Sequence, residues 1–522
     1  MTTSRITTCR RALQAGLGVL ALSLAATTQA VRLNPEGTGQ VLLFPYYTTR
    51  AGNATFITLI NESDRAKVLS VKLNEARNGR KVGSVNVYLA AHDTWTATVT
   101  SLGDNQPANL FSSDPSCVYP RLALELPGGA QRYTPLDPSF YTGSLNDAGP
   151  DNLERLREGS ITVIEAASVV PSSPIAKAMA PDAATGLPTD CASIIAAWDS
   201  PEGIWAQDRS RYLSNPTGGV SGEAFVLNVS NGTVTGFHAT ALDDFRTDPA
   251  DLPQGSKSSL VLHARPGDAT EPTLANAVND PVAGIARATI DLPRRRVELE
   301  YPVARGIDAV SAVLMADTAS ATFSSDQAAG ATTEWVVTFP TRPFYTDPAI
   351  VGATAIAPFS TIYPLTGNDA AGAATVLYTL YDRNARRITV ADAFSTRSEI
   401  KLPYVTQVVS LVPRTATEIA PGVGPLGSDL NVDLQRVTAL AERTGGWIEF
   451  NLRTNGSGGG NRALRASVDG TVMYGLPAIG FAAVNYINGG QANYSFATPQ
   501  RRTQECRRNT LSCESAGSNV AQ

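Results

Sequence analysis

Histidine is nearly missing from this chain: His92, His238 and His263 are the only three in 522 residues. A zinc hydrolase motif of the HExxH kind is therefore excluded, and the five cysteines contain no CxxC pair that would suggest a structural zinc site. The GxSxG elbow of serine hydrolases is also missing, and the glycine-rich stretch NGSGGG lacks the Lys and Ser/Thr of a phosphate-binding loop. Long apolar runs are scarce too. Beyond the first residues, no segment approaches the roughly 20 apolar residues that a membrane-spanning helix needs. Basic charge is in short supply, with 42 Lys and Arg against 47 Asp and Glu, so nucleic acid is not an expected partner.

What is present begins with a leader. Arg5, Arg10 and Arg11 precede an apolar run from Ala12 to Ala26 and the small-residue end TTQA, the three-part plan of a secretory signal peptide. Cleavage is expected after Ala30. The Arg10-Arg11 pair raises a twin-arginine export reading, for which the following ALQAG is a poor continuation. Val31 rather than Cys follows the expected cleavage point, which argues against lipid attachment. Without residues 1–30 the chain keeps 39 basic and 47 acidic side chains, a net charge of −8, and no transmembrane span is expected in it. Four cysteines remain for an oxidising compartment, with Cys117 expected to pair with Cys191 and Cys506 with Cys513.

Most of the chain reads as short alternating strands separated by Gly, Pro, Asn and Asp, which predicts a mainly β protein. The clearest block, Ala54 to Val99, holds about five strands. A three-residue turn at Arg77-Asn78-Gly79 sets Leu69 by Val87 and Val71 by Val85 on one face. A second block, Val376 to Phe394, repeats the basic turn with Ala385 in place of the glycine. Its expected loop is Asp382-Arg383-Asn384, with Asn384 left-handed, Val376 facing Val390 and Tyr378 facing Ile388. A third hairpin, Glu223 to Ala241, is expected to turn on Asn231-Gly232 and to place Phe225 opposite His238. Helix is expected over PDNLERLREG, with Asp151 as N-cap, Glu154 completing a capping box and Gly159 as the stop. TDCASIIAAWDS puts Cys191, Ile194, Ile195 and Trp198 on one helical face. Ala420 to Gly427 reads as a linker, and Asn455 to Asn461 as a flexible loop.

Candidate chemistry is sparse. Of the three histidines, His238, followed by Asp243 and Asp244, is the best candidate for a Ser-His-Asp arrangement; a half-buried structural histidine is the simpler reading there, and a strand-end loop residue at His92. Asp243 with Asp244, or Asp199 with Glu202, are the first carboxylate pairs to test for glycosidase chemistry. No catalytic, cofactor or metal residue is assigned. Aromatics at loop ends can stack on sugar rings, so Tyr46, Tyr47, Trp205, Phe344 and Tyr345, with Arg342, are the expected ligand contacts. Trp335 and Trp447 each begin an alternating apolar strand and are expected in the core. In TEWVVTFPTRPFYTDP, Trp335, Val337 and Phe339 share one face, and Pro340 and Pro343 end the pairing. TRPFYTDP then reads as an exit loop.

The blocks LNPEGTGQVLLFPYY, NPTGGVSGEAFVLNVSNGT, TEWVVTFPTRPFY and GLPAIGFAAVN resemble a family of uncharacterised secreted or cell-surface proteins of Gram-negative bacteria. That resemblance implies export and brings no catalytic residue. The expected architecture is two or more immunoglobulin-like β-sandwich domains with a short helical excursion: a leader (1–30), an N-terminal sandwich (31–130), a middle region (131–300, the excursion at about 150–215), a second sandwich (301–415) and a C-terminal segment (416–522). The expected role is adhesion, scaffolding or ligand binding, with surface proteins or glycans as partners. The alternative is a polysaccharide-active hydrolase or a lectin-like protein.

Overall fold

The computed structural model describes residues 29–103, 105–126, 132–388, 398–411, 424–433, 444–488, 493–509 and 511–513. Residues 1–28, which hold most of the expected leader, lie outside them. The described chain is mainly β, with a few short helices.

Two sheets stack over residues 31 to 243. The first orders the strands Arg32–Leu33, Thr240–Asp243, Val41–Thr48, Glu158–Val169, Lys67–Glu75, Lys81–Leu89 and Cys117–Tyr119, with Leu213–Ser214 attached to Glu158–Val169. The second orders Thr233–His238, Val220–Asn228, Asn53–Asn61, Thr94–Ser101, Ala108–Ser112, Arg132–Pro135 and Leu124–Glu125. Period-2 alternation turns Leu69, Val71 and Phe44 of one sheet toward Ile57, Leu59 and Trp95 of the other. Because Glu158–Val169 pairs between Val41–Thr48 and Lys67–Glu75, the expected boundary at 130 falls inside this unit.

The third sheet orders Asn431–Asp433, Thr406–Ser410, Ala331–Thr338, Ile479–Tyr486 and Tyr494–Pro499. Its two faces serve different cores. Val336, Val408, Phe481 and Ala483 join the core of the first two sheets, while Trp335, Val337, Val409 and Ala482 face the other way. There they meet Val376, Leu380, Ile448 and Phe450 of the fourth sheet, built from Arg387–Ile388, Ala374–Asp382, Gly445–Asn451, Thr318–Ser324 and Arg501–Thr503, with Glu399–Leu402 on its edge. Burial on both faces explains the unbroken Trp-Val-Val in TEWVVTF.

The turn at Arg77-Asn78-Gly79 locks together the two halves of the molecule, the first two sheets and the third and fourth. Leu69 lies opposite Val87 and Val71 opposite Val85, as the pairing argument requires, and the bulge falls after Leu73. Gly79 takes φ 72°, and a Cβ there would stand 2.7 Å from the Pro343 ring. The Val405 and Thr406 amides donate to the Arg77 and Ala76 carbonyls at 2.8 Å, and Arg77 pairs with Asp369.

Four local expectations need correction. Around 383, Leu380 faces Ile388 and Ala385 rather than Asn384 is left-handed, because the Asp382 carboxylate accepts from the Asn384 and Arg386 amides and pins the three-residue turn one position later, at Arg383-Asn384-Ala385. Val390 and Phe394 lie outside the described residues. The third hairpin closes with four residues, Val229 to Gly232, which puts Glu223 opposite His238 and Phe225 opposite Gly236; the Asn228 side chain caps that loop through the Asn231 amide. The segment after Asp151 is a 3-10 turn, Leu153–Arg157, because Arg155 is drawn into the structure by Glu75 at 3.0 Å and Asp147 at 2.6 Å. Gly159 does not stop a helix. It lies in a strand where a Cβ would strike the Asn74 carbonyl at 1.9 Å.

The helix Cys191–Asp199 forms as its apolar face predicts, capped by Asp190, and packs Ile194 and Trp198 on the outer face of the first sheet. The Cys117–Cys191 disulfide fastens it there, and Cys506 is bonded to Cys513. Two disulfides indicate a non-cytoplasmic location. Among the described residues no helix is long and apolar enough to cross a membrane. The expected flexible loop is also held: Arg462 donates to the Thr454 and Thr375 carbonyls across it. Gly424 to Gly427, the described end of the expected linker, packs between the halves, with the Leu426 amide donating to Glu334.

Candidate functional site

Five of the six expected contact residues are buried. Tyr46 and Tyr47 sit on a strand enclosed from both sides; the Tyr46 hydroxyl donates to Glu158 at 2.8 Å and the Tyr47 hydroxyl to the Leu156 carbonyl at 3.1 Å. Trp205 packs on Tyr88 and His263 and donates to the Arg211 carbonyl. Tyr345 donates to Asp308, and Arg342 donates to the Leu402, Tyr404 and Gly372 carbonyls. TRPFYTDP is thus an internal bracket that includes the helical turn Pro343–Thr346, because the arginine finds free carbonyls inside the fold. Phe344 alone is half-exposed, at a pocket between the halves.

Of the expected histidine and acid groupings, Asp243 and Asp244 come together, on one arginine. Asp243 and Asp244 are engaged by Arg32 at 2.8 and 3.0 Å, while His238 lies exposed opposite Glu223. His92 contacts exposed Asp64. Asp199 accepts from the Tyr119 hydroxyl at 2.7 Å, and Glu202 is exposed. His263 is buried between Tyr88 and the Arg209 carbonyl, each 3.0 Å from a ring nitrogen. Burial pulls its pKa down to about 4.

The outer face of the fourth sheet carries the feature that sequence reasoning placed in the core. Ile448, Phe450 and Leu452 point inward, so Trp447 and Glu449 point out, and Trp447 is 37% exposed. Cross-strand pairing sets Tyr381, Trp447 and Thr322 in one row, and Thr379, Glu449, Ser320 and Arg501 in the next. Tyr381 and Trp447 stack with centroids 4.4 Å apart and planes 13° from parallel. Beside them is an open cleft of about 640 Å³ lined by Trp447, Arg383, Arg501, Thr322 and Thr498. Asp382 also lines it, but its carboxylate accepts the amides of its own turn. Burial, then the charge of Asp317, raises the Glu449 carboxyl above its usual range. A flat aromatic plate with guanidinium and hydroxyl donors can stack on a ring and bond its substituents. The parity of I-E-F-N was the available signal, since Trp447 shares its register with Glu449 and not with Phe450.

Comparison with family models, with curated proteins and with solved structures finds no match to this chain.

Proposed function

We propose that this is an exported, non-enzymatic protein of the cell surface or extracellular space that binds glycans for adhesion. The carrying observation is the Tyr381–Trp447 stack, left uncovered on a sheet face between Arg383 and Arg501. The leader pattern and the two disulfides support export. The stacked sheets are read as an immunoglobulin-like scaffold that keeps the plate flat and pre-organised, which lowers the entropy cost of binding. A glycan array with neutral and acidic oligosaccharides tests the reading: Trp447→Ala is expected to weaken the best ligand about tenfold, a loss of about 1.4 kcal/mol. Unchanged binding by that variant would remove the plate from the proposal.

Glycan hydrolysis is a second reading, favoured by the raised pKa of Glu449 on the same face. Release of reducing ends by the native protein, abolished by Glu449→Gln, would replace binding with turnover. Protease accessibility in intact cells separates outer surface from periplasm.

A further inference from the structure

A second cavity lies where the two halves meet, about 350 Å³ in volume. That is at the small end of ligand cavities, which run from roughly 300 to 1,000 Å³. Five polar side chains of the first sheet line it: Lys81, and two cross-strand pairs, Lys72 opposite Thr162 and Asn74 opposite Ser160. The rest of the lining is largely apolar: Phe140 and Leu274 from the first half, and Pro340, Phe344, Ile350 and Val405 from the second.

Three basic and three acidic side chains line the cavity, but they are unevenly paired around Lys72. Lys72 lies 3.9 Å from Glu271, and Lys81 pairs with the same carboxylate. The other acids lining the cavity are engaged: Asp268 with Arg209 at 2.9 Å and Asp347 with Arg80 at 3.4 Å. Two ammonium groups therefore share one carboxylate, and the more distant of the two, Lys72, is 8% exposed. Its ammonium donates to the Pro272 carbonyl. A buried cation short of counter-charge is costly, and an anion entering from solvent relieves that cost.

We propose that this cavity binds a small monocarboxylic acid with an apolar body, its carboxylate seated against Lys72 and the Ser160 and Thr162 hydroxyls. A carboxylate supplies Lys72 with a close counter-charge that Glu271, shared with Lys81, does not, and an amine would put a third ammonium beside that one carboxylate. The apolar walls take the body of the acid, and the volume excludes a folded partner. Burial brings Lys72 down to about 8, in keeping with an ammonium that lacks a full counter-ion. The cavity stands apart from the Trp447 face, and its ligand is independent of the glycan reading.

Titration calorimetry of the full exported chain with octanoate, octanol and octylamine tests this. Octanoate is expected to bind one to one, and at least about tenfold more tightly than octanol, as a charge-assisted bond supplies. Octylamine is expected not to bind. Lys72→Met should remove the preference for the carboxylate while leaving the melting temperature unchanged or higher. Should that variant fail to fold, Ile350→Asp puts a negative charge on the cavity lining at a position 57% exposed and is expected to weaken octanoate several-fold. Equal affinity for octanoate and octanol, or undiminished octanoate binding by whichever variant folds, would overturn the proposal.

Discussion

Trp335 and Trp447 head two segments of similar pattern, WVVTF and WIEFN, inside the strands Ala331–Thr338 and Gly445–Asn451, and the same Phe450 belongs to both neighbourhoods. It is 4.4 Å from the Trp335 ring and three residues after Trp447. Yet Trp335 is wholly buried, whereas Trp447 faces solvent. The difference lies in the number of layers around each sheet. The third sheet is covered on both faces, so every position along Trp335-Val336-Val337 is core. Among the described residues the fourth sheet is covered on one, so alternation sends half of its residues outward. A tryptophan at the start of an apolar strand is therefore core only where a second layer exists.

Trp335→Ala is expected to cost about 3–5 kcal/mol in chemical denaturation, as large-to-small changes in a closed core do. A loss within about 0.5 kcal/mol would mean that the third sheet is not closed on both faces.

A second enclosed aromatic site sharpens the same contrast. His263 packs against Trp198 and Trp205 and is held neutral there. The unfolded chain takes up its proton near pH 6.5, the folded chain only at about 4, so stability present above pH 6.5 is lost as the pH falls through 4. The expected loss is about 3 kcal/mol, and an NMR titration of the ring should show the midpoint far below 6.5. A midpoint at the ordinary value would mean that water reaches the ring.

A smaller effect is expected at Gln500, whose side chain accepts the Trp335 indole N–H at 3.1 Å. Gln500→Ala leaves a buried donor unmet and should cost about 1–3 kcal/mol by thermal melting. The smallest change in stability is expected from Trp447→Ala, within about 0.5 kcal/mol, while glycan binding falls about tenfold. Equal destabilisation at 335 and 447 would erase the distinction between the two strands.

Much of the local structure was legible in sequence. The register at Leu69 and Val71 followed from matching apolar faces across the turn, and the helix at Cys191 followed from its apolar stripe and Asp190 cap. The two disulfide pairs matched expectation. Less legible were the turns where a side chain decides the geometry. Asp382 forces Ala385 into a left-handed conformation that residue type alone disfavours, and Asn228 lengthens a loop that Asn-Gly would otherwise shorten. The candidate site was the least legible, because aromatics beside prolines resemble surface loops until their polar atoms are traced to partners. Tyr46, Tyr345 and Trp205 each found such a partner inside.

Strand content, the helical stripe and the cysteine pairing were set by the sequence alone. Each depends on residue type and spacing within a short segment. The tertiary structure alone decided which strands have two covered faces, that Gly79 docks one half on the other, and that Lys72 and Lys81 share Glu271. These follow from contacts between residues as far as hundreds of positions apart, and the free energy of burying a face or a charge depends on what arrives opposite it.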